Sequence, residues 1–257
     1  MFTIIIAALL GLLVGMIASV LGIGGGVLLV PLLHILLGLN MHESVGTSLF
    51  VVVFLASSAA ISYYREKLTL WKLTLIFECG SVPGAYVGAF TSYMAPSSLL
   101  RMSFSILLLY ISTRMWRGRK ASGNAGKTIT EKDLKIGELR TILLLVLLGF
   151  VAGFLSGLLG IGGGVVKVPI MSLLFGIPIH NSVATSALMV AITTLTGSAT
   201  HLIMGGVRYD VGLWLVPSVV LGAHLGTRIS VRLKSIILSR IFSILLALIA
   251  VRMIIGA

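Results

Sequence analysis

The heptapeptide Leu-Gly-Ile-Gly-Gly-Gly-Val at residues 21–27 recurs unchanged at residues 159–165, 138 positions later. At the same offset Gly11 and Gly15 meet Gly149 and Gly153, Pro31 meets Pro169, Gly38 meets Gly176 and His42 meets His180. Ser44-Val45 meets Ser182-Val183, Thr47-Ser48 meets Thr185-Ser186, Gly84 and Gly88 meet Gly222 and Gly226, and Arg114-Met115 meets Arg252-Met253. A register kept over most of both halves is a duplicated unit, so the chain is expected to fold as two similar pieces.

Composition sets the solvent around those pieces. The 257 residues are 58% hydrophobic and 10% charged, with mean hydropathy +1.14, outside the range of a water-soluble domain of this length. No Asp, Glu, Lys or Arg precedes Glu43, and none lies between Thr141 and Val166. These features predict an all-α polytopic membrane protein without a sizeable soluble domain. The first apolar run has no basic leader and continues past Gly24 to Pro31, so it reads as a span and not as a cleaved signal peptide. Cys79 is the single cysteine, which excludes an intrachain disulfide and a cysteine metal cluster. No cofactor and no metal are expected.

A net charge of +12 raises nucleic acid as a partner. The basic residues, however, sit in loops between apolar runs, where they report topology. Arg65, Lys67 and Lys72 flank one loop; Arg114, Arg117, Arg119, Lys120, Lys127, Lys132, Lys135 and Arg140 crowd a second; Arg228, Arg232, Lys234 and Arg240 mark a third. Apolar segments are predicted at 3–22, 27–38, 44–63, 71–91 and 97–116, then at 140–160, 165–177, 181–204, 210–228 and 235–256. Placing the basic loops in the cytoplasm gives corresponding loops of the two repeats opposite sidedness. The reading is therefore an inverted repeat, residues 1–116 and 140–257, joined by a cytoplasmic linker at 117–139, with both termini outside. Within that linker Thr130 and Asp133 could cap a short helix at 131–139. Segments 27–38 and 165–177 fall short of the about 20 residues a span requires, leaving open ten spans or eight with two re-entrant hairpins. The expected surroundings are a lipid bilayer and a small anionic substrate, with no nucleic acid; a homo-oligomer remains possible.

Glycine is poor material for a helix interior, costing about 1 kcal/mol each relative to alanine. Gly24, Gly25 and Gly26, and again Gly162, Gly163 and Gly164, therefore suggest two helix breaks facing each other near the symmetry axis. Helices restarting at Val27 and Val165 would aim free amides and positive dipole ends into the centre, an arrangement suited to an anion. Close packing through small residues is the plainer use of the same glycines. A phosphate loop does not fit, because no Gly-Lys-Ser/Thr follows and no βαβ unit surrounds the motif.

Gly22 to Pro31 with Gly46-Thr47-Ser48, repeated as Gly160 to Pro169 with Ala184-Thr185-Ser186, resembles the sulfite exporter TauE/SafE family across essentially the whole chain. The resemblance implies a permease of the bacterial inner membrane that exports small sulfur-containing anions such as sulfite or organosulfonates. Composition alone says nothing of sulfur.

Thr47, Ser48, Thr185 and Ser186 stand near helix starts, where hydroxyls can cap or hold an oxyanion. Lys167 replaces Leu29 of the first repeat and puts a cation just after the glycines; it either attracts the anion or snorkels to the surface. Pro31 and Pro169 are candidate hinges. Glu78, His34, His201 and His224 lie in apolar surroundings and could carry a coupled proton, although Glu78 could instead pair with Lys72 or a loop arginine. Asn181 is expected to cap the helix that follows it. The leading function is a secondary transporter working by alternating access, not an enzyme. The alternatives are a channel or permease for another small ion and, remotely, an intramembrane enzyme using Ser156 and His201.

Overall fold

The computed structural model describes residues 2–116 and 139–230, with residues 244, 247–248, 250–251 and 253–255 beyond them. Apart from Leu139, the linker and its expected helix at 131–139 lie outside the described residues, as does most of segment 235–256. The described residues form nine α-helices and no strand. In the first half these are α1 (Phe2–Leu21), α2 (Gly26–Pro31), α3 (Met41–Arg65), α4 (Trp71–Met94) and α5 (Ser97–Trp116). The second half contributes α6 (Leu139–Leu159), α7 (Gly164–Pro169), α8 (Ile179–Ile203) and α9 (Tyr209–Ser230). Of these, α3, α4, α6, α8 and α9 are long and apolar enough to cross a membrane.

The short helices are built alike. Pro31 and Pro169 lack the amide that would continue the α ladder, and the chain widens into π turns at Leu32–Leu36 and Ile170–Leu174. Both turns then end the same way. Gly38 and Gly176 take φ of 67° and 64°, and the amides of Leu39 and Ile177 reach back to the carbonyls of Leu33 and Met171, closing a left-handed helix terminus. Gly26–Leu36 forms one apolar helical stretch about 16 Å long, roughly half the hydrocarbon core. Neither short segment crosses a membrane by itself.

Helix starts differ between the halves. Asn40 caps α3, accepting from the Glu43 amide at 2.9 Å while Glu43 accepts from the Asn40 amide at 3.3 Å. Its counterpart at α8 is Pro178. Asn181, expected to cap that helix, instead lies inside its first turn and donates to the Leu68 carbonyl at 2.9 Å. The reason is that α8 begins two residues before Asn181.

The halves exchange helices: α1 of the first packs on α9 of the second, and α6 of the second packs on α4 of the first. Glycines make the contact. A Cβ at Gly80, Gly84 or Gly88 of α4 would strike the carbonyls of Val146, Phe150 and Phe154 of α6, and one at Gly149, Gly153 or Gly157 would strike those of Phe77, Ser81 and Ala85. Gly15, Gly222 and Gly226 meet Val219, Leu12 and Met16 in the equivalent contacts between α1 and α9. In lipid, which solvates leucine as well as protein does, this approach of small residues is what holds helices together. Between the two exchanged pairs, α3 packs against α8 and the glycine breaks meet.

Candidate functional site

Gly22, Gly24 and Gly25 have φ of 66°, 84° and 81°, and Gly160, Gly162 and Gly163 have 73°, 83° and 77°. Three left-handed residues within four positions can only be glycine at low cost, and they swing the chain from the end of α1 or α6 into α2 or α7. Neither α2 nor α7 has a side-chain cap, and Gly22 to Gly26 and Gly160 to Gly164 are all buried. A Cβ on Gly26 would lie 2.7 Å from Ile161 Cα, and one on Gly164 would lie 2.6 Å from the Gly22 carbonyl oxygen. The breaks thus touch each other, and they bring two uncapped helix N-termini into the protein interior.

Ser48 Oγ donates to the Gly160 carbonyl at 3.0 Å, and Ser186 Oγ donates to the Gly22 carbonyl at 3.1 Å. Thr47 Oγ1 accepts from the Arg208 amide at 3.0 Å, and Thr185 Oγ1 accepts from the Leu70 amide at 3.1 Å. Each bond has its exact mate at the 138-residue offset, and each runs from one half to the other. A contact in which the same patches exchange partners is isologous, the signature of a two-fold relation. All four hydroxyls expected to face a ligand therefore hold opposing backbone in this conformation. Losing one from a buried carbonyl costs about 1–3 kcal/mol. Ser48→Ala and Ser186→Ala should lower stability by similar amounts in detergent melts; a large inequality would show that the halves do not share the load equally.

One place breaks the symmetry. Lys167 is fully buried, and its ammonium donates to Glu78 Oε1 at 2.7 Å, to the Met189 carbonyl at 3.2 Å and to Thr193 Oγ1. Those contacts use all three of its protons. Thr193 Oγ1 in turn lies 2.7 Å from Glu78 Oε2 and 2.8 Å from Ser81 Oγ, and the Phe77 ring lies 5.8 Å from Lys167 Nζ. The counterparts of Lys167, Glu78 and Thr193 are Leu29, Val216 and Leu55, which sit in or against the apolar core. Lys167 does not snorkel, and its partner is the Glu78 carboxylate. Thr193 went unnoticed in the sequence.

The histidines are dispersed. His34 Nδ1 lies 2.7 Å from the Leu39 carbonyl and fastens the turn after α2, and His201 Nε2 lies 3.3 Å from the Gly157 carbonyl. The symmetry mate of that last contact is Tyr63, whose hydroxyl donates to the Ser19 carbonyl at 2.9 Å. His201 thus faces the carbonyl of Gly157, while the hydroxyl of Ser156 has no hydrogen-bond partner; no serine–histidine bond forms. His224 is exposed, with Nδ1 3.4 Å from Ser62 Oγ. Pro31 and Pro169 end α2 and α7. Among the described residues no cluster of His, Cys, Asp and Glu could hold a metal ion.

Apolar membrane-length helices, half-length helices at a two-fold centre and a buried ion pair beside them define a multi-pass membrane transport protein. The sequence comparisons agree. The family model described as sulfite exporter TauE/SafE matches residues 7–253, and the chain belongs to that family. A probable membrane transporter protein, YunE, of Bacillus subtilis (strain 168) is 35% identical over 265 residues, covering 97% of each chain. A probable membrane transporter protein of Xylella fastidiosa (strain Temecula1) is 27% identical, covering 94% of this chain and 91% of its own. YjnA, another probable membrane transporter protein of Bacillus subtilis, is 27% identical and covers 91% of this chain and 94% of its own. No solved structure matches the chain.

Proposed function

We propose that the protein exports small sulfur-containing anions, sulfite or an organosulfonate, across the bacterial inner membrane by alternating access. The observation that carries this reading is the pair of buried, uncapped helix N-termini held against each other at the crossing of the two breaks. Orphan amides and two positive dipole ends favour an anion over a cation. The break glycines Gly24, Gly25 and Gly26 with Gly162, Gly163 and Gly164 supply those amides, and Lys167 supplies a full charge close by. A buried ionisable pair within a membrane protein marks a transport path by default.

Reciprocal bonds between the halves suit rocking of one repeat against the other, with Pro31 and Pro169 as hinges. As the halves part, Thr47, Ser48, Thr185 and Ser186 lose their carbonyl and amide partners and become available to an oxyanion. With the basic loops assigned to the cytoplasmic side, the symmetry axis lies in the membrane plane, the arrangement of an inverted repeat with the 117–139 linker in the cytoplasm and both termini outside. Glu78 is the internal competitor for Lys167. An anion that binds the Lys167 ammonium must displace that carboxylate from it.

Sulfite flux from purified protein in liposomes, with and without an imposed pH gradient, tests this reading. Saturable flux that responds to the gradient and is inhibited by organosulfonates is expected. Flux that neither saturates nor responds to the gradient would make the protein a channel. Folded protein that moves neither sulfite nor an organosulfonate would overturn the sulfur assignment.

A further inference from the structure

The C-terminal halves of α3 and α9 line a cleft of about 1240 Å³. Its polar wall carries Arg65, Arg228, His224, Ser57, Ser62 and Thr227. Arg65, Arg228 and His224 are exposed, and among the described residues neither arginine has a carboxylate partner within ion-pair distance. Glu66 is the one acidic side chain lining it. The Ser62 hydroxyl donates to the Ser58 carbonyl at 3.0 Å, so at 3.4 Å His224 Nδ1 acts as the donor toward Ser62 Oγ.

A rule that places cations at the cytoplasmic ends of helices accounts for the two arginines. It does not account for Ser57, Thr227 and His224, which line the cleft between them. Nor does the shared packing of the repeats require them. At the 138-residue offset Ser57, Arg65 and Glu66 become Leu195, Ile203 and Met204, and His224, Thr227 and Arg228 become Tyr86, Ala89 and Phe90. Ser58 and Ser62 keep hydroxyls as Thr196 and Thr200, so what one end of the molecule alone carries is Ser57, Arg65, Glu66, His224, Thr227 and Arg228.

The cleft also leads somewhere. Tyr63 lines it, is 2% exposed, and hydrogen-bonds the Ser19 carbonyl in the last turn of α1, three residues before Gly22. Tyr63 thus ties the cleft wall to the turn that leads into the first glycine break.

We infer that this cleft is an anion-collecting vestibule, in which Arg65 and Arg228 draw a small oxyanion from water toward Tyr63 and the break behind it. The placement deepens the transporter reading and rests on it for the direction of travel, but the binding itself does not. Paired cations in a cleft with low-dielectric walls concentrate anions by about tenfold or more.

The test reads charge preference and not transport. In a Cys79→Ser background, Ser62→Cys places a thiol on the cleft wall, and Ser58→Cys one turn earlier supplies a second probe if the first inserts poorly. In zwitterionic phosphatidylcholine vesicles, with each rate divided by that reagent's rate on a free small thiol, an anionic sulfonatoethyl methanethiosulfonate should label the thiol about tenfold faster than its cationic trimethylammonium analogue. Methanesulfonate should slow that labelling, and Arg65→Gln with Arg228→Gln should erase the preference. Equal rates, a preference that survives loss of both arginines, or an unreactive thiol at both probe positions would overturn the vestibule. Protection that appears only when phosphatidylglycerol is added would give the cleft to a lipid headgroup and overturn it equally. A protein that keeps the charge preference but moves neither sulfite nor an organosulfonate would defeat the substrate assignment and leave the vestibule standing.

Discussion

Lys167→Met alone should cost about 3–5 kcal/mol of stability, because it leaves the Glu78 carboxylate buried without its cation. Lys167 is 0% and Glu78 5% exposed, so water cannot compensate for the lost partner. Removing both charges should have a different outcome. The chain already contains an apolar version of this packing, since Leu29, Val216 and Leu55 occupy the positions equivalent to Lys167, Glu78 and Thr193 at the 138-residue offset. Lys167→Leu with Glu78→Val and Thr193→Leu should therefore fold with stability close to the parent, as replaced buried ion pairs commonly do. It should nevertheless transport nothing, because the site has lost its cation and the carboxylate that competes for it. Detergent melts and liposome flux, measured on the single and triple variants, separate the two effects. Parental flux from the triple variant would make the ion pair purely structural and remove Lys167 and Glu78 from the transport path.

The 138-residue register makes much of the architecture legible in advance. Helices fall within a few residues of the expected apolar runs, and the breaks fall where Gly22 to Gly26 and Gly160 to Gly164 place them. The shortness of 27–38 and 165–177 already argues against full spans, and the 11-residue stretch Gly26–Leu36 agrees. Which helix packs on which was not legible. In water an apolar stripe marks the buried face, but in lipid the outer face is apolar as well, so hydrophobicity does not tell α4 that its partner is α6. The glycine spacing of Gly80, Gly84 and Gly88 against Gly149, Gly153 and Gly157 was the available signal.

The site was partly legible for a related reason. Thr47, Ser48, Thr185 and Ser186 stood out by duplication, and duplication is what a reciprocal structural contact also produces. The residues that depart from the repeat are more informative. Lys167 was recognised as such a departure, whereas Glu78 and Thr193, facing Val216 and Leu55, were not set beside it. Three positions that are apolar in the opposite repeat and polar here, Glu78 in the first half with Lys167 and Thr193 in the second, would have pointed to one cluster, even with 89 residues between Glu78 and Lys167.

Gly26→Ala and Gly164→Ala should each abolish transport, and each by the same cause. Neither glycine needs a left-handed φ, so space alone forbids the methyl group. Its surroundings are the Gly160 carbonyl and Ile161 backbone at Gly26, and the Gly22 carbonyl and Ile23 backbone at Gly164. No flexible side-chain tip is there to move aside, so one break must be pushed off the other, at a cost of about 3 kcal/mol or more. Gly38→Ala and Gly176→Ala are the matched controls. They sit at φ of 67° and 64° with nothing within 4 Å of the added Cβ, so they carry only the left-handed penalty of about 1–2 kcal/mol and should keep their flux. Reciprocity sharpens the test, because two-fold related contacts predict similar losses at Gly26 and Gly164. A harmless Gly26→Ala beside a lethal Gly164→Ala would mean that the breaks do not meet as a symmetric pair. Loss of flux with a melting point like that of Gly38→Ala would mean that the breaks must close on each other during each transport cycle, and that the methyl group holds them apart.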